Sequence, residues 1–213
     1  MTLTWIAPND TFLTNAQQMN NAQLVATHFV GTDWTKESLS ALIGNMAHES
    51  SLNPSMHELG YGDSPSRGYG LVQWTPMTKY TDWATANGLD YTSGDSQLAR
   101  IDYEVTNNIQ WVANGYQVRY GMGTKYNFSF ADFRKNVQGL SVNDLTEAFM
   151  WNYEGPALSA GQSSLSARQS FANQAYTGLD WTGTGGGTTP PPPPNSDSGL
   201  IPLLLSDALF GWR

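Results

Sequence analysis

Between Thr35 and the Asn53-Pro54 stop, Leu39, Leu42, Ile43 and Met46 recur at the spacing of one helix face. A strand cannot present such a stripe on one side, because its side chains alternate faces at every residue. The segment therefore forms an amphipathic helix over about Thr35 to Ser51 and must bury its stripe against other helices. The same punctuation recurs along the chain. A first helix is expected from Asn15 to Phe29, and another from Lys79 to Asn87, where Gly88 supplies a C-cap. Ser96 to Asn114 carries Leu98, Ile101, Val105, Ile109 and Val112 as its buried stripe, with Gly115 as terminator. Ser141 to Glu154 places Leu145, Ala148, Phe149 and Asn152 on one face behind a capping serine, and Leu165 to Tyr176 completes the set. The long loop from Leu52 to Pro76 is where short strands should lie. The expected class is mainly α (α+β), with a small β element.

Composition breaks after Trp181. Residues 182–198 run through Thr, Gly and five prolines, Pro190 to Pro194, and read as a linker with a glycine hinge and a stiff polyproline rod. Beyond it, residues 199–213, GLIPLLLSDALFGWR, form an apolar tail too short for an ordinary membrane span and broken by Pro202 and Asp207. Three uses are open for such a segment: docking to a protein partner, shallow membrane contact, or folding back on the main domain of residues 1–181.

The chemistry concentrates between Met46 and Pro76. Glu49 continues the apolar stripe and sits in the last helical turn, where partial burial and the helix dipole both disfavour a negative charge. A carboxyl in that setting suits a general acid; the plainer alternative is an ion pair, with Arg67 as one available cation. Downstream, Gly68-Tyr69-Gly70-Leu71-Val72-Gln73-Trp74 offers small residues for close backbone approach, an amide for hydroxyl and N-acetyl groups, and an indole that can stack on a pyranose. The glycines are equally consistent with a simple turn, and Trp74 with the core.

In order and type, Glu49-Ser50, Asn53-Pro54 and Gly70-Leu71-Val72-Gln73 resemble the glutamate and Gly-Leu-x-Gln motifs of the lysozyme and lytic-transglycosylase superfamily. With Gly44-Asn45-Met46, Trp74-Thr75-Pro76, Asn87-Gly88-Leu89 and, more loosely, Phe149, Tyr153, Glu154 and Pro156, the chain is similar to the lysozyme domain of tail-tip proteins from short-tailed phages of Gram-positive bacteria. Relatives of this kind often carry a metallopeptidase domain after the lysozyme domain, and none is expected within these 213 residues. The resemblance implies a lysozyme-like helical domain and cleavage of the β-1,4 bond between N-acetylmuramic acid and N-acetylglucosamine, with Glu49 as the acid. It also implies a virion tail-tip location, synthesis in the host cytoplasm, action on the host cell wall, peptidoglycan strands as substrate, and phage tail proteins as partners through the C-terminal segment. Gln73, Gly70, Tyr69, Trp74, Tyr153 and Glu58 are then the expected substrate contacts.

A hydrolase of the usual kind needs a second carboxylate, about 5 to 5.5 Å from the acid for a nucleophile or about 6.5 to 9.5 Å for a base. Asp63, in its polar Gly62-Asp63-Ser64 setting, is the preferred candidate; Glu58 and Glu154 remain open, and a lytic transglycosylase would need none of them. His48 neighbours Glu49 but points about 100° around the helix, and neither His28 nor His57 has companions at ligand spacing, so no metal or other cofactor is expected. Without cysteine there is no thiolate site or thiol nucleophile. A net charge of −8 argues against nucleic acid as a partner. No secretory signal pattern follows Met1, so export by incorporation into a virion fits the N-terminus.

Overall fold

The computed structural model describes residues 3–182 of the 213-residue chain. Its helices begin where side chains satisfy the free amides of the first turn. Thr14 and Gln17 form a reciprocal capping box at α1, Asn15–Phe29, and Thr35 and Ser38 form one at α2, Lys36–Ser50. Next come α3, Thr78–Ala86, and α4, Gly94–Asn107. Two short helices follow, α5, Gly115–Tyr120, and α6, Phe130–Lys135. Helix α7, Val142–Phe149, runs directly into a π-helical turn, Met150–Glu154, and α8, Leu158–Gly178, closes the fold.

Helix α2 is the axis of the domain. From Ser38 to Met46 every residue is buried, so the helix is covered on all sides rather than on the one stripe its leucines mark. It packs against α1, α6, α7 and, most extensively, α8. The α2–α8 approach is set by Gly44: a Cβ there would lie 2.5 Å from the Arg168 carbonyl oxygen and 2.7 Å from Ala172 Cβ. The polar residue beside it is also built in, since Asn45 Nδ2 donates to the carbonyls of Ala41 (2.9 Å) and Thr146 (3.2 Å).

Beyond α2 the molecule differs from the sequence expectation in several places. The helix expected over Ser96 to Asn114 stops at Asn107, because Asn108 turns left-handed at φ 50°, which asparagine tolerates well. Chain reversal there lets the Trp111 indole donate to the Phe128 carbonyl at 2.7 Å and stack on Phe130, inside a cluster with Phe133 and Phe149. Gly115, expected to terminate a helix, instead opens α5; its amide donates to Asn152 Oδ1 at 2.8 Å, and a side chain would run into the Trp151 carbonyl. The small β element of the 52–76 loop is reduced to two isolated antiparallel bridges, His57 to Tyr69 and Tyr69 to Trp74. Short turns held by side-chain hydrogen bonds take the place of strand ladders there. The Gly/Pro linker from residue 183 onward and the apolar segment 199–213 lie outside the described residues. No helix among the described residues is long and apolar enough to cross a membrane.

Gly44→Ala tests the helix crossing. Alanine gains helix propensity but forces α8 away, and urea unfolding should show a net loss of about 1 to 3 kcal/mol.

Candidate functional site

The end of α2 turns sharply, with Ser51 and Leu52 both left-handed at φ 58° and 57°. Ser50 Oγ donates to the Leu71 carbonyl at 3.0 Å, tying the last helical turn to the Gly70-Leu71 bend. Between them opens a cleft of about 970 Å³, whose walls include Glu49, Glu58, Gln73 and Glu154.

Glu49 stands in this cleft one-fifth exposed, its Oε1 2.5 Å from Arg168 Nη2. Arg168 comes from the middle of α8 and is 2% exposed; its Nη1 donates to Asn45 Oδ1 at 2.8 Å and its Nε to Ser164 Oγ at 3.2 Å. A guanidinium engaged at all three nitrogens in this way holds a carboxylate by a charge-assisted hydrogen bond. Reasoning from the helix alone omitted this cation and looked to Arg67, which instead faces Glu58 at 3.5 Å. Its signal lies in α8, whose buried face runs Gly161, Ser164, Arg168, Ala172 and Ala175: one arginine within a stripe of small residues.

Glu154 ends the π-helical turn. The turn closes through Gly155 at φ 58°, where any Cβ would collide with the Arg119 guanidinium. π-Helical insertions of this kind often mark functional sites, because they displace one side chain from the regular helical register. Glu154 Oε1 is sealed from solvent and meets no hydrogen-bond partner. Burial pushes its carboxyl well above the usual carboxylate range; the charge of Glu49 adds to this, and Arg168 opposes it. One of these two carboxyls is thus paired with a cation, and burial disfavours the charged form of the other.

Gln73 also lines the cleft, held at φ 49° with its amide nitrogen donating to the carbonyls of Met56 (2.9 Å) and Gly70 (3.1 Å). Its side-chain oxygen is the group it offers a ligand. Glu58 accepts from the Gly68 amide at 3.1 Å. His48 lines the cleft beside Glu49; burial lowers its pKa and Arg168 lowers it further, while Glu49 opposes.

The aromatic residues of the motifs lie elsewhere. Trp74 is 0% exposed, stacks on Tyr80 at 4.6 Å between centroids and donates its indole N–H to Glu104 Oε1 at 3.0 Å. Tyr153, 1% exposed, donates to Glu104 Oε2 at 2.5 Å. Tyr69 is sandwiched against His57 and Tyr80 in the core. The expected sugar stacking by Trp74 and contacts by Tyr69 and Tyr153 are therefore corrected: these rings are interior and reach no ligand. Gly70 is buried too, and its missing Cβ makes room for the Gln97 amide, which accepts from the Leu71 N–H at 2.7 Å and donates to the Pro54 carbonyl at 2.7 Å. Asp63 is 92% exposed and lies outside the residues that line the cleft; its Oδ1 is 2.9 Å from His57 Nε2, while His57 Nδ1 is 2.8 Å from Asp10. It braces a histidine in the loop. Glu104 gave no sign in the sequence beyond its place on the α4 stripe. Among the described residues no group of three or more His, Cys, Asp or Glu is placed to hold a metal.

Residues 20–179 match the profile of the phage tail lysozyme family. Over 146 residues the chain is 38% identical to Morphogenesis protein 1 of Bacillus phage B103, covering 68% of this chain and 36% of that protein. The chain thus spans little more than a third of the length of that curated relative.

Two outcomes follow from the geometry. Folding raises the pKa of Glu154, so at acid pH both folded and unfolded chains hold its proton, and as pH rises the unfolded chain alone releases it; stability falls with pH on this account. Glu154→Gln should therefore melt above the wild type at about pH 7.5, with the gap closing at about pH 3.5, in paired thermal scans. Trp74→Phe should cost about 1 to 3 kcal/mol of stability through the lost Glu104 hydrogen bond, read by urea unfolding.

Proposed function

The chain belongs to the phage tail lysozyme family, and from that premise we propose that it is a muramidase of the phage tail. In this reading it cleaves the β-1,4 bond between N-acetylmuramic acid and N-acetylglucosamine, so that the tail can pass the host cell wall. The observation that carries the reading is the Glu49–Arg168 pair standing in the same cleft as Glu154, whose Oε1 is sealed from solvent and without a partner. Glycosidic cleavage needs a proton for the leaving oxygen and a negative charge near the developing oxocarbenium ion. Glu49 and Glu154 hold one of each between them, and Glu49, at the motif position, is the carboxyl on which cleavage depends. Gln73 would orient an N-acetyl or hydroxyl group through its side-chain oxygen. A tail-tip position, manufacture in the host cytoplasm and anchorage to tail proteins through residues 199–213 belong to the same proposal.

One observation favours a second reading, a lytic transglycosylase. Burial disfavours the charged form of Glu154 that a base needs, Glu58 is turned to Arg67 and the Gly68 amide, and Asp63 lies outside the cleft lining. An enzyme that uses an internal sugar hydroxyl in place of water needs no such base.

Mass spectrometry of purified peptidoglycan, digested with wild type and with Glu49→Gln, tests both. The substitution keeps shape and removes the carboxylate that faces Arg168, so cleavage should fall by about 10² to 10⁴ while the fold persists. Reducing muramic acid ends made only by the wild type are the expected product; 1,6-anhydro ends would select the transglycosylase. Equal cleavage by both proteins would sink the assignment of Glu49, and glycan retained uncut by both would leave a binding protein.

A further inference from the structure

The cleft has an aromatic wall that none of the sequence motifs supplies. Phe12 lines it with 60% of its surface exposed, and among the lining residues it is the only Phe, Tyr or Trp. It belongs to an N-terminal arm that precedes α1 and lies outside residues 20–179, the part matched by the family profile.

The arm is held on both sides of Phe12. Asn53 Nδ2 donates to the carbonyls of Pro8 (2.7 Å) and Thr11 (2.9 Å), and the Leu13 amide donates to Ser51 Oγ at 3.0 Å. Asp10 Oδ1 accepts from the His57 backbone amide at 2.8 Å, and Leu13 is buried, 5% exposed. The backbone flanking Phe12 is thereby stitched to the C-terminal turn of α2 and the loop that follows, a few residues from Glu49. A phenyl ring left in solvent on so constrained a backbone contributes nothing to the core. Its conformational cost of binding is largely met before a ligand arrives. Leu59, also 60% exposed, is a second apolar side chain of the same cleft.

We propose that Phe12 is a saccharide platform: its ring packs against the C–H face of an N-acetylhexosamine in the cleft, the task that the buried Trp74 cannot perform. This rests on the glycan-cleaving reading above for the identity of the ligand, and adds to it a subsite built by the N-terminal arm. The ring offers no hydrogen bond, so it selects for a pyranose face and for chain length rather than for a particular substituent.

The test is calorimetric titration of the full chain with N-acetylchitotetraose, a peptide-free glycan, for wild type, Phe12→Ala and Phe12→Trp, with thermal melts of each. Phe12→Ala should bind about three- to tenfold more weakly, with an unchanged melting temperature because the ring is exposed, and Phe12→Trp should restore binding. Equal affinity of wild type and Phe12→Ala would overturn the proposal. So would a loss seen with intact peptidoglycan alone, which would assign the ring to the peptide stem. A wild type that binds the tetrasaccharide through Phe12 yet cuts no peptidoglycan would sink the muramidase reading and leave the platform standing; a wild type that binds no glycan would sink both.

Discussion

The guanidinium of Arg168 is the charge around which this domain is built. Taking an arginine to 2% exposure is costly unless its donors are met, and here Asn45, Ser164 and Glu49 meet them from two helices. That arrangement needs α2 and α8 in near backbone contact, which Gly44 permits. Gly44, which sets the helix crossing, and Glu49, which stands in the cleft, lie five positions apart on one helix, with Asn45 between them. A change that loosens the crossing should therefore register at the carboxylate, since the ion pair is also a tertiary contact.

A second buried charge serves the opposite wall. Glu104, on α4, accepts from Arg100, Trp74 and Tyr153, so one carboxylate ties α4 to the Gly-Leu-Val-Gln-Trp turn and to the π-helical turn that carries Glu154. Burial raises its pKa, and Arg100 and the hydrogen bonds oppose the shift. Trp74 and Tyr153 thus position Gln73 and Glu154, their immediate sequence neighbours, while staying out of the cleft themselves. Residues of a functional motif divide in this way into those that meet the ligand and those that hold the first group still.

That division explains what could be read from the sequence. The bounds of α1 and α2 were legible because Thr14, Thr35 and the Asn53-Pro54 stop mark them chemically, and the place of Glu49 in the last turn of α2 because it continues the apolar stripe. The placement of Trp74 was not, because an aromatic after a glycine turn has the same local pattern whether its ring faces a ligand or the core; Glu104, thirty residues away, decides. Helices α5 and α6, six residues each, are too short to show a period. Arg168 reaches Glu49 across 119 positions, a pairing that no local spacing encodes. Phe12 was invisible for the same reason: only the stitching of its arm to Asn53 and Ser51 brings it to the cleft.

The two cleft carboxyls also constrain how the site can respond to a ligand. Burial, which leaves Glu154 Oε1 without a donor, disfavours the charged form of Glu154, and the charge of Glu49 nearby adds to this. A glycan filling the cleft displaces water from both groups and strengthens the field between them, since charges interact more strongly in a drier site. Desolvation resists charge on Glu154, whose Oε1 has no donor, so a filled cleft disfavours its charged form further, while the Glu49 side of the cleft keeps Arg168 as a partner. In the muramidase reading the site sharpens its own division of labour on binding, and the fixed element that makes this so is the guanidinium held between α2 and α8.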